Sequence, residues 1–135
     1  MEHNRYGFSV TLPNTDLDQA IERITTALGA VGFGVLTRID VHTTLKTKLD
    51  VDFRPYAILG ACNPPLAIRA LNEDSEIGLW MPCNVVVQQY GEDSKISVIE
   101  PNTMVPLVDG AETKQVMGEA QKLLISALQS ARGPA

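Results

Sequence analysis

The chain has 135 residues, 44% of them hydrophobic and 20% charged, which fits one globular domain able to bury a core without metal or disulfide staples. Its net charge of -5 has the wrong sign for a nucleic-acid or anionic-membrane partner, and its longest apolar runs fall well short of the roughly 18 residues of a membrane span. Two cysteines make no disulfide framework and Met1-Glu2-His3-Asn4-Arg5 opens no signal-type apolar region, so a cytoplasmic α+β domain is expected.

Tyr6 to Leu12 alternates weakly and predicts a strand. From Leu17 to Val31, the residues Leu17, Ala20, Ile21, Ile24, Ala27, Leu28 and Val31 recur at helical spacing and form one apolar face. Thr15 occupies the expected N-cap, with Asp18 three residues on, and Gly32 is placed to stop the helix. Phe33 to Val41 carries the β-branched and aromatic residues of a strand. The next stretch is ambiguous. Val41 to Phe53 alternates if threonine counts as inward, yet Val41, Leu45 and Leu49 also follow i, i+4, i+8 behind a possible Asp40 cap, so periodicity leaves strand and helix open.

Tyr56 to Leu59 reads as a short buried strand. Asn63 then caps a helix that begins with Pro64 at its first position, runs on through Ala67, Ala70 and Leu71, and breaks at Asn72-Glu73-Asp74-Ser75. Pro82 cannot donate to a ladder, so Leu79 to Cys83 is an edge, a bulge or a corner between strands. Val85 to Tyr90 and Lys95 to Ile99 predict a hairpin joined by Gly91-Glu92-Asp93-Ser94. A second long amphipathic helix spans about Gly110 to Ala131, with Asp109 as N-cap, Glu112 as its partner and Gly133-Pro134 as the stop. No repeat or low-complexity tract divides the chain, so residues 1–135 are expected to form one domain.

The unusual feature is a pair of Cys-Asn dipeptides, Cys62-Asn63 and Cys83-Asn84. Cys62 follows a strand and precedes a helix cap, where the positive end of the helix dipole favours a thiolate. Against that, Pro64 and Pro65 remove two donors from the helix start, and cysteine often serves as a small core residue. Adding His42 to Cys62 and Cys83 gives three chemically suitable metal ligands, but no pair has ligand spacing and no fourth is nominated. His3 reads as a solvated side chain.

Other templates fail. Gly29, Gly32 and Gly34 follow a helix and lack dinucleotide spacing, and no phosphate-loop or serine-elbow motif exists. Asp50 and Asp52 would share a strand face, as a carboxylate pair or as a solvated edge. Glu73-Asp74 and Glu92-Asp93 look like loop charges. Arg54-Pro55-Tyr56 offers a cation and a phenol for a carboxylate, or an arginine paired to a nearby aspartate. Trp80, Met81 and Met104-Val105-Pro106 have the character of an apolar groove lining, or of core and dimer contacts.

The run Tyr56-Ala57-Ile58-Leu59-Gly60-Ala61-Cys62-Asn63-Pro64, with Ala67, Ala70-Leu71 and then Ile77-Gly78-Leu79-Trp80-Met81-Pro82-Cys83-Asn84-Val85-Val86-Val87, resembles the domain of unknown function 302 family. Trp80 stands where that pattern has an aliphatic residue. The resemblance implies an antiparallel sheet with helices on one face, a short helix near 41–49 beside that near 64–72, and a homodimer. It carries Cys62, Asn63, Cys83 and Asn84 over as a candidate site, without a role and without a cofactor. The expected function is a homodimeric module that binds an unidentified small ligand or partner through an exposed sheet face or edge, without conventional catalysis. The alternative is thiol-dependent redox, sulfur-handling or metal chemistry centred on Cys62 with Cys83. No nucleophile, base and orienter set nominates a hydrolase or transferase.

Overall fold

Alternating strand sequences in this chain fold into one antiparallel sheet, and the computed structural model describes residues 1–133 of it. The strands are β1 (Glu2–His3), β2 (Gly7–Leu12), β3 (Gly34–Asp40), β4 (Tyr56–Cys62), β5 (Cys83–Tyr90) and β6 (Asp93–Ile99), in the spatial order β1-β2-β6-β5-β4-β3. The helices are α1 (Leu17–Ala30), α2 (Val41–Leu49), α3 (Pro64–Glu73) and α4 (Ala111–Arg132). Two 3₁₀ segments, Ser75–Trp80 and Pro101–Leu107, follow α3 and β6.

One face of the sheet carries the core. Leu59 stands opposite Val85, Val85 opposite Val98, and Ala57, Val87, Ile96 and Val10 continue the same face across four strands. All of these are buried under α1 and α4, which also pack on each other. The α+β architecture with both long helices on one face is therefore present, and α3 joins them through its contact with α4. Pro134 of the expected stop lies outside the described residues. No helix among the described residues is long and apolar enough to cross a membrane.

Local chemistry explains the element ends. The α1 cap is Asp16, not Thr15: its carboxylate accepts from the Gln19 amide (2.8 Å) and the Gln19 side chain accepts from the Asp16 amide (3.0 Å). Thr15 is buried and its hydroxyl donates to the Pro13 carbonyl (2.9 Å), which takes it out of the contest. Gly32, at φ +89°, closes α1 as expected. There the Phe33 amide reaches the Leu28 carbonyl (2.9 Å) and the Gly32 amide the Gly29 carbonyl (3.2 Å), the paired bonds of a Schellman stop.

The ambiguous stretch is helical from Val41 to Leu49, stopped by Asp50 in the left-handed region. Of the readings open for 79–83, the corner holds: Leu79 and Trp80 end the first 3₁₀ segment, Pro82 turns the chain after a cis peptide bond, and Cys83 begins β5. The hairpin is tighter than expected. Tyr90 already pairs with Asp93, so only Gly91 and Glu92 form the turn, with Gly91 at φ +58°.

The start of α4 departs furthest from expectation. Its N-cap is Gly110, and Asp109 caps nothing; the free amides of Glu112 (3.1 Å) and Thr113 (2.7 Å) donate instead to the Glu73 carboxylate at the end of α3. Glu73 is thus no loop charge. The Thr113 hydroxyl, near the same carboxylate but outside hydrogen-bond geometry, and these amides hold Glu73 below the usual carboxylate range.

Candidate functional site

The two Cys-Asn dipeptides meet because β4 and β5 are paired neighbours. Ala61 stands opposite Cys83 and Gly60 opposite Asn84. Strand alternation then divides the four candidates. Cys83 shares the core face with Ala61, while Asn84 lies on the bare face, where it borders a shallow trough of about 340 Å³ with Tyr6, Val86 and Ile99. Asn63 is buried and structural: its side chain accepts from the Leu66 amide (3.2 Å) and caps α3. Cys62 is the last residue of β4 and is partly buried.

Cys62, Asn63 and Cys83 border one small cavity of about 60 Å³, closed by Phe33, Leu66, Met81 and Val116. Both cysteines are free thiols. Burial, and secondarily the neighbouring Cys62, push the Cys83 thiol up to about 11. At neutral pH it is therefore protonated and a poor nucleophile or metal ligand. Cys62 follows Ala61, the residue paired with Cys83, so the two cysteines are diagonal neighbours at the end of the sheet.

His42 does not join them. It lies at the start of α2, where its Nδ1 accepts from the Tyr56 amide (3.0 Å) at the first residue of β4. Cys62 is the last residue of that strand, roughly 20 Å away at strand rise. No group of three or more histidine, cysteine or acidic side chains gathers at metal-binding distance among the described residues.

The other sequence candidates have structural partners. Asp50 and Asp52 do not share a strand face; both pair with Lys46 (3.0 and 3.2 Å) around the end of α2. Arg54 has no aspartate partner: it donates to Gln88 (2.9 Å) between the rings of Phe53 and Tyr90. His3 stacks on Phe8 and contacts Glu100 (2.7 Å). Asp93 is the first residue of β6 and accepts from the Asn14 amide (3.0 Å).

The sequence reading misplaced one feature and did not show another. Trp80, Met81 and Met104 do line a common hollow, but it is a small, partly open one of about 70 Å³ between α3, α4 and the sheet end, and Val105 and Pro106 are not in its wall. A wider depression, about 710 Å³, is an open groove beside α1 and the last turn of α4, lined by none of the candidate residues. Helix α2, left open by periodicity and expected from the resemblance, is present and has no buried residue at all. Its threonines and lysines were the visible signal of that exposure.

A family model described as "Domain of unknown function DUF302" matches residues 8–131 of the chain. The crystal structure of an uncharacterized conserved protein DUF302 from Bacillus stearothermophilus is similar over 94% of this chain and 98% of its own, with 33% sequence identity and a TM-score of 0.84. No protein of curated function matches the chain.

Proposed function

The chain belongs to the domain of unknown function DUF302 family, and from that premise we propose that it is a non-catalytic binding module that works as a homodimer. The second copy covers the bare sheet face and α2. The observation that carries this reading is α2 itself. A nine-residue helix is too short to be stable in water on its own, yet none of its residues is buried in its own chain. Beside it, the register aligns Ile39, Ile58 and Val86 into an apolar row across β3, β4 and β5. Ile39 is 52% exposed and Leu36, on the same edge strand, 67%. An apolar row on an edge strand invites pairing with another copy unless it is covered.

Sedimentation velocity on the full chain at micromolar concentration is expected to give the mass of a dimer. Ile39→Glu and Leu45→Glu are expected to halve that mass while the core still melts cooperatively. A wild-type chain that stays monomeric at every attainable concentration overturns the reading.

The thiol-based alternative has one observation in its favour, the single cavity bordered by Cys62 and Cys83. The protonated state of Cys83 weighs against it. Rapid alkylation of the native protein at Cys62, with Cys83 reacting only on unfolding, would turn attention to a single-thiol site; unreactive thiols would end that alternative.

A further inference from the structure

Two small cavities lie against Cys83 on the helix-covered side of the sheet, one of about 60 Å³ and one of about 70 Å³. They share four wall residues: Met81, Cys83, Val116 and Ala120. We propose that they are the two lobes of one binding site for a small uncharged apolar molecule the size of a single aromatic ring, with Met81 as the movable partition between them. This goes beyond the dimer reading and does not depend on it, because the dimer surface is on the other face.

The lining sets the ligand class. Ile77, Trp80, Met104 and Met117 complete the larger lobe, and no residue lining either lobe carries a formal charge. The Cys83 thiol adds none, since burial keeps it protonated. One hydroxyl stands in the wall, that of Thr113, buried beside the Glu73 carboxylate. Such a wall favours apolar molecules, tolerates one hydrogen-bonding group and penalises ions.

Size decides what fits. An apolar cavity of about 150 Å³ stays dry and accepts benzene. Neither lobe reaches that alone, but the pair approaches it once the partition swings aside. Methionine suits a partition because its unbranched side chain repacks at little cost. The cover is suited to opening as well. It consists of the two 3₁₀ segments, whose hydrogen-bond geometry is poorer than that of an α-helix. In them only Ile77 and Pro101 are buried, while Leu79 is 81% and Leu107 71% exposed.

The test is a titration of the full chain with benzene. Trp80 is the single tryptophan, and three of the four methionines line the site, leaving Met1 as an internal control. The expected result is a saturable change in Trp80 fluorescence with methyl shifts at Met81, Met104 and Met117 and none at Met1. Ala120→Leu, which fills the shared wall, is expected to weaken benzene binding by at least about tenfold. Should that variant fail to fold, Met81→Ile serves instead: a stiff β-branched residue holds the lobes apart, so xenon still binds and benzene does not. The proposal is overturned by the absence of saturation up to the solubility of benzene, by equal shifts at Met1, or by variants that bind benzene as the wild type does.

Discussion

Helices α1 and α4 start with the same chemistry from different sources. In each, a carboxylate accepts amides of the first turn, but α1 takes Asp16 from the residue before it, whereas α4 takes Glu73 from the end of another helix. The local cap stabilises only its own helix. The distant one also ties the end of α3 to α4, beside Arg69 on α3, which pairs with both Glu112 and Glu119 of α4. A helix start can thus be an inter-helix joint, and its loss is felt in the assembly of the helical layer and not in one turn alone.

The largest effect is expected at Gly110, where an added Cβ would fall on the Glu73 carboxylate. Gly110→Ala should push that side chain off the α4 start and destabilise the fold by about 1–2 kcal/mol, the upper range for a lost cap. In a double-mutant cycle, adding Glu73→Ala should recover part of that loss. Strict additivity in denaturant melts would mean that Glu73 does not hold the α4 start. Asp16→Ala comes next, at about 1 kcal/mol for a lost cap, and it should add independently to any change at Glu73. Amide exchange separates the two joints: Glu73→Ala should expose the Glu112 and Thr113 amides, and Asp16→Ala should leave them protected.

The acid limb gives a finer reading. Glu73 titrates below the usual carboxylate range in the folded chain, so its contribution is present above an unfolded value of about 4.3 and is lost as pH falls through the lowered folded value. Thermal melts of Glu73→Gln should therefore show a shallower loss in that window than the wild type. A parallel loss would assign the acid sensitivity elsewhere. The smallest effect is expected for Asp109→Ala, within about 0.5 kcal/mol, since Asp109 makes no cap. A drop like that of Asp16→Ala would restore Asp109 as the α4 cap.

The contrast between the caps also marks what was legible. Periodicity located α1, α4 and the β5–β6 hairpin because each is decided by neighbours within a few residues. The α1 cap was misplaced by one position, since Thr15 and Asp16 are equally good candidates until Thr15 is known to be buried. Glu73 was unreadable: nothing local links it to Thr113, forty positions away. The stretch from Val41 satisfied both periods, and only the resemblance favoured a helix there. The Cys-Asn dipeptides looked like one site because they repeat in sequence. Pairing of β4 with β5 does bring them together, but the two-residue alternation sends Cys83 inward and Asn84 to the bare face. The hollow around Met81 was visible as a set of apolar residues, though its place between α3, α4 and the sheet end was not.

The sheet order has a consequence for the chain during synthesis. β2, made among the first twelve residues, pairs only with β1 and with residues 94 to 99. Until that later stretch has left the ribosome, β2 has no seat on the main sheet, and α1 has neither the β5–β6 hairpin nor α4 to cover it. Such long-range pairing slows folding and leaves apolar surface open while it waits. The apolar face of the nascent N-terminal third therefore stays uncovered longest, and a ribosome stalled before residue 99 would hold an aggregation-prone fragment.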